Sequence, residues 1–136
     1  MTRERLHLKI ITHERVLVDE QVDAVFSRAV DGEFGILPNH IAFMTALGIG
    51  VTRYLKDNNY EFVSTIGGIF QVSDNNVTVL ADTAELGKEI DLARAKAAKE
   101  RAEARLRLAP KDIDINRAEI ALARAIARIK AASRIK

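Results

Sequence analysis

Four arginines and one aspartate near the end of this 136-residue chain have the types and spacing to do chemistry. Asp91, Arg94 and Arg101 stand at i, i+3 and i+10, which on a helix turning about 100° per residue fall within an arc of about 80°. Arg124 and Arg128 stand at i and i+4 and also share one helical face. Two helices folded back on each other would bring the four guanidinium groups together near Asp91. Guanidinium groups grip phosphate oxygens through paired hydrogen bonds, while a carboxylate accepts from an amino or hydroxyl group. The set therefore suits a polyanion that also carries a hydrogen-bond donor, and ATP is such a ligand. The same spacing equally describes a solvated basic helical face with i, i+4 ion pairs. Spacing alone leaves both readings open.

Other chemistries find little support. The chain has no cysteine, which excludes a disulfide framework, a thiolate metal site and cysteine catalysis. His7, His13 and His40 are the only histidines, and none has a carboxylate at recognisable metal-ligand spacing. Gly67-Gly68 lacks the pattern of a dinucleotide turn or a phosphate loop. Ser27, Ser64, Ser73 and Ser133 have no nucleophile-elbow context. Hydrolytic or redox catalysis by this chain alone is not expected, and neither is a metal.

The elements that must position the arginines follow from composition. Residues 1–87 hold 7 Lys/Arg and 12 Asp/Glu, a net of −5, whereas residues 88–136 hold 14 Lys/Arg and 7 Asp/Glu, a net of +7. All 7 glycines lie at or before Gly87, while 14 alanines fall between Ala93 and Ala132. Two structural units are expected, 1–87 and 88–136. In the first, Leu6, Leu8 and Ile10, then Val16 and Val18, then Val22, Ala24 and Phe26 alternate with their neighbours. Asp31-Gly32, residues 56–59, Gly67-Gly68 and residues 74–76 read as turns. Short strands with such punctuation predict an antiparallel sandwich or barrel, with Pro38 in a connection.

The second unit predicts a helical hairpin. Between Asp91 and Leu108 there is neither glycine nor proline, and Leu92, Ala95, Ala98, Ala102 and Leu106 form a narrow apolar stripe at helical period. Ala118, Leu122, Ala125, Ile129 and Ala132 continue it on a second helix beyond Pro110, with Asp91 capping the first helix and Asp112 or Asp114 the second. A seam this rich in alanine buries little area, and at about 25 cal/mol per Å² it holds weakly. The pair is expected to dock and undock at low cost.

These residues carry a resemblance over nearly the whole chain. Residues 31–40, Asp-Gly-Glu-Phe-Gly-Ile-Leu-Pro-Asn-His, resemble a signature segment of the epsilon subunits of F-type rotary ATP synthases. Gly67-Gly68-Ile69-Phe70-Gln71-Val72 and Val77-Thr78-Val79-Leu80-Ala81-Asp82 are similar to the next two signature strands. Ile90-Asp91-Leu92-Ala93-Arg94-Ala95 is similar to the motif that opens the first C-terminal helix in the nucleotide-binding bacterial members. Asn39 stands where glycine is commoner. The resemblance implies an α+β fold, a ten-stranded antiparallel β-sandwich followed by an antiparallel α-helical hairpin. It implies a non-catalytic central-stalk subunit that couples rotation to catalysis, at the cytoplasmic side of a bacterial cell membrane. Its implied partners are the gamma subunit and c-ring for the sandwich. The alpha and beta subunits of the catalytic hexamer would meet the extended helices, which inhibit ATP hydrolysis. It further implies no prosthetic group, and ATP as a regulatory ligand favouring the folded hairpin through Glu85, Asp91, Arg94, Arg101, Arg124 and Arg128.

Two other classes compete. A basic hairpin could contact nucleic acid, but its basic residues alternate with glutamates and no aromatic follows Phe70 for base stacking. A stand-alone ATP-hydrolysing enzyme would need the phosphate loop this chain lacks. No apolar run approaches the roughly 20 residues that span a bilayer, and residues 1–10 are too charged for a signal peptide. An intracellular protein, able to sit on a membrane complex, is therefore expected.

Overall fold

A computed structural model describes residues 4–108 and 114–134. The Pro110 connection and the alternative cap Asp112 lie outside the described residues. Eight strands come first: β1 Leu6–Ile11, β2 Val16–Val22, β3 Ala24–Ala29, β4 Gly32–Ile36, β5 Phe43–Ala46, β6 Ile49–Lys56, β7 Asn59–Ser73 and β8 Asn76–Leu86. A 3-10 turn at Gly87–Glu89 leads to helix α1 Leu92–Leu108 and helix α2 Ile115–Ala132.

The strands hydrogen-bond in the order β2-β1-β8-β7-β6-β3-β4, with β5 added to β7. The alternation read from the sequence is the alternation of burial in β1 and at Val18 and Val22 of β2, but Val16 is exposed, and in β3 Val25 and Ser27 are buried while Phe26 is only partly covered. Leu6, Leu8 and Ile10 of β1 are fully buried, and Val22, Val25, Ile36, Val63, Phe70, Val72, Val77 and Val79 join them in one core. Strand number and strand direction differ from expectation. The described residues form eight strands, not ten, and β1 pairs with β8 in parallel, Leu8 beside Val77 and Ile10 beside Val79, while the other pairings are antiparallel.

The physical reason for the lower count lies at Gly67-Gly68. These glycines do not make a turn. They lie inside the 15-residue strand β7, at φ 67 and 111, where glycine passes without strain because it has no Cβ. A Cβ on Gly67 would strike the Asp82 side chain, and one on Gly68 the Leu80 carbonyl. The strand kinks there and continues. Its first part pairs with β6 as far as Ile66, and its last part pairs with β5 from Ile69 onward. Cutting β7 at the glycines and β8 opposite them would yield ten pieces. The expected turns elsewhere are present: Asp57-Asn58 and Asp74-Asn75 adopt positive φ between paired strands, as tight hairpins require. Asn39 also lies at φ 68, which accounts for glycine being common at such a position.

Each helix starts at an aspartate. The Arg94 backbone N–H donates to Asp91 Oδ1 (3.1 Å), and the Arg117 N–H donates to Asp114 Oδ1 (3.0 Å). Such caps are typically worth about 1 kcal/mol each. The helices pack on each other, and α2 also packs on β6 and β7. Ala95 and Ala102 of α1 are buried, as are Ala118, Ala125, Ala127 and Ala131 of α2. Ala127 and Ala131 lie off the expected stripe, so α2 has a second buried face.

Candidate functional site

The sheet and the two helices meet at the end of β8. Glu85 is on β8, and Glu89 and Asp91 follow in the connection to α1. These three carboxylates, with Arg94 and Arg101 of α1 and Arg128 of α2, line one open hollow of about 450 Å³. Ile90, Ala95 and Ala98 provide its apolar wall. The size lies within the roughly 300–1,000 Å³ common for small-molecule sites.

Charges in the hollow are arranged unevenly. Arg128 Nε donates to Glu85 Oε1 at 2.6 Å, both side chains being partly covered. Asp91 spends one oxygen on the cap of α1, at the helix end whose dipole favours negative charge. Arg15, from the β1–β2 turn, donates to Glu89 Oε2 at 2.7 Å. That hydrogen bond, opposed by desolvation and aided by the charges of Arg15 and Lys88, holds the Glu89 carboxyl below its ordinary range. Each acid is thus engaged, whereas the Arg94 and Arg101 guanidinium groups have no ion-pair or hydrogen-bond partner among the described residues. Two unengaged cations at the wall of a hollow can take up an anion.

Five of the six residues named from the sequence, Glu85, Asp91, Arg94, Arg101 and Arg128, therefore surround one space. Arg124 does not. It lines the neighbouring crevice of about 570 Å³ between α2 and the sandwich, with Ile120, Val30, Leu47, Ile66 and Asp82, and Arg128 borders both spaces. Sequence reasoning missed Arg15 and Glu89. Neither carries a helical-spacing signal, since one is on a β turn and the other follows the last strand.

The end of α2 is fastened to the sheet. Gly87 lies so close to it that a Cβ there would overlap the Ala131 carbonyl oxygen and stand 3.0 Å from the Phe62 carbonyl oxygen. Arg134 donates to the Tyr60 carbonyl, lies 3.8 Å from Glu61 and places its guanidinium 5.2 Å from the centre of the Phe62 ring. The histidines lie elsewhere. His7 is flanked by Asp19 (2.5 Å) and Gln21 (2.9 Å), His13 is 3.6 Å from Glu14, and His40 contacts the Ile41 carbonyl. Among the described residues no three His, Cys, Asp or Glu side chains form a group that could hold a metal ion.

Comparisons with known proteins bear on the family and the fold. Residues 5–87 match the family model described as the beta-sandwich domain of the ATP synthase delta/epsilon chain, and residues 88–133 the one described as its long alpha-helix domain. A sandwich joined to a helical region of this kind defines the class of delta/epsilon chains of ATP synthases. The ATP synthase epsilon chain of Symbiobacterium thermophilum is 53% identical over 103 residues, covering 75% of this chain and 74% of that one. The epsilon chain of Nitratidesulfovibrio vulgaris strain DP4 is 48% identical over 101 residues, covering 74% and 75%. The chain belongs to the ATP synthase epsilon-chain family, the non-catalytic subunits of the F1 central stalk. Its fold is also similar to a chain in the cryo-EM structure of the Euglena gracilis mitochondrial ATP synthase OSCP/F1/c-ring. That match has a TM-score of 0.80 at 24% identity and covers 95% of this chain and 81% of that one. Among the described residues no helix is long and apolar enough to cross a membrane.

Proposed function

We propose that this subunit couples rotation to catalysis through its sandwich, residues 1–87, and restrains ATP hydrolysis through residues 88–136, with ATP as the ligand that favours the seated helices. The carrying observation is the hollow at the end of β8, where Arg94 and Arg101, without an ion-pair or hydrogen-bond partner among the described residues, stand beside Glu85, Asp91 and Arg128. The groups come from β8, α1 and α2, so a ligand that touches all of them binds only while the helices are folded back. A ligand shifts such an equilibrium by its difference in affinity for the two forms. Along an extended helix the same arginines are too scattered to reach one triphosphate. They would instead face acidic surfaces of the alpha and beta subunits.

In this reading the adenine amino group or ribose hydroxyls donate to the free oxygen of Asp91, and Arg94 orients the base edge. Arg101 and Arg128 take the phosphates. Arg124, one turn before Arg128, would swing from the adjacent crevice to join them. The sandwich would bind the gamma subunit and the c-ring, holding the chain to the cytoplasmic side of a bacterial membrane through the complex. The test compares assembled complexes that carry the full chain or one ending at Gly87. The shortened chain should sustain proton-coupled synthesis and release hydrolysis from restraint. Equal restraint with both would move the brake to the sandwich and refute the proposal.

A further inference from the structure

Glu89 faces the same hollow as Arg94 and Arg101, and an unmasked carboxylate there would repel any polyphosphate. Its partner comes from the far side of the sandwich sequence. Between β1 and β2 the pairing register slips at Ile10/Ile11, so that Ile10 faces Val18 but Ile11 faces Val16. Such a bulge bends the strand end and re-aims the side chains beyond it. Thr12 then closes the turn. Its hydroxyl accepts from the backbone N–H groups of Glu14 (3.3 Å) and Arg15 (3.4 Å), and its own N–H donates to the Arg15 carbonyl (3.0 Å). The Arg15 backbone is thereby fixed at the spot from which its guanidinium reaches Glu89 at 2.7 Å.

Resting on the ATP reading above, we propose that Arg15 is a positioning residue that sets the nucleotide affinity of the hollow by masking Glu89. It does not touch the ligand. It converts a site of three carboxylates into one in which each is committed, so that Arg101 meets the phosphates and Arg94 the base edge without an opposing unpaired carboxylate at Glu89. The lowered proton affinity of Glu89 agrees with the pairing, its first cause being the hydrogen bond from Arg15.

The test uses the full chain and ATP. Arg15→Ala should weaken ATP about fivefold at low ionic strength, with the loss shrinking as salt is raised, because a unit charge near a polyanion acts through a screened medium. Glu89→Gln added to Arg15→Ala should restore affinity to about the original value, and Arg15→Lys should largely keep it. An unchanged affinity in Arg15→Ala, or a loss that Glu89→Gln does not repair, overturns the inference. A second reading needs no ligand. The Glu89 carboxyl, followed by carbon-detected NMR, should titrate at higher pH in Arg15→Ala than in the unaltered chain, and an unmoved midpoint overturns the masking even where ATP binds normally. Failure of the unaltered chain to bind ATP would instead refute the proposed function, and this inference with it.

Discussion

Replacing Gly87 by alanine tests how the helices are held. Gly87 is buried and lies outside the left-handed region, so its backbone accepts alanine and the effect comes from the new methyl alone. That methyl would overlap the Ala131 carbonyl oxygen, with its carbon 2.9 Å away and the Phe62 carbonyl oxygen at 3.0 Å. Ordinary van der Waals contact begins near 3.4 Å. Backbone atoms cannot yield as a flexible side chain would, so the end of α2 must retreat. Retreat loosens Ala131, which is 1% exposed, and draws Arg134 from Phe62, Glu61 and Tyr60. Inserting a methyl into packed structure costs about 1–3 kcal/mol. At about 1.4 kcal/mol per factor of ten, the ratio of seated to released helices should fall roughly 5- to 150-fold. Amide hydrogen exchange of α2 reads that ratio, with β1 and β7 as internal controls. Unchanged protection of α2 in Gly87→Ala would refute the close approach as the seat of docking.

Other consequences are open to measurement. Arg134→Ala should release α2 by a smaller amount, about three- to tenfold in the same exchange assay, since an exposed cation–ring contact and a surface ion pair are each worth about 1 kcal/mol or less. Arg94→Ala should weaken ATP at least about tenfold, as expected for hydrogen bonds to charged groups. The exposed Arg105→Ala and Arg117→Ala should change it far less, and equal losses for all three would mean a diffuse basic face. The chain ending at Gly87 should fold cooperatively, because the shared core draws only on strand residues and Leu47; a molten state by near-UV circular dichroism would disprove independent folding. The Glu89–Arg15 tie has a pH sign. The folded-state proton affinity of Glu89 is lowered, so its contribution is complete above the ordinary carboxyl value of 4.5 and is lost as pH falls through the lower folded value. The NMR midpoint of Glu89 checks the direction.

Local patterns carried much of this architecture. Period-two alternation marked β1 to β3, and paired Asp and Asn residues marked the hairpin turns, because both are properties of a few neighbouring residues. Asp91 and Asp114 are caps for equally local reasons. What could not be read depends on distant neighbours. Gly67-Gly68 has turn chemistry, yet the Asp82 side chain and the Leu80 carbonyl press against it and the strand runs on. The parallel pairing of β1 with β8 joins segments nearly seventy residues apart, which no short-range pattern encodes.

The candidate site divides along the same line. Asp91, Arg94 and Arg101 are close in sequence and helical period brought them to one hollow. Placing Arg124 with them assumed that both helices meet face to face along the whole arginine set. The second buried face of α2, which carries Ala127 and Ala131, goes with Arg124 lying in the neighbouring crevice instead. Arg15 meets Glu89 across 74 positions through a bulge and a threonine turn, so that pair carried no sequence signal.

Calorimetric titration of ATP into the isolated full chain tests the central claim most directly. Saturable binding of one ATP per chain is expected, with Arg94→Ala shifting the dissociation constant at least about tenfold. Absence of saturable heat, or binding to the unaltered chain and Arg94→Ala with the same constant, would contradict a nucleotide site in the hollow at the end of β8.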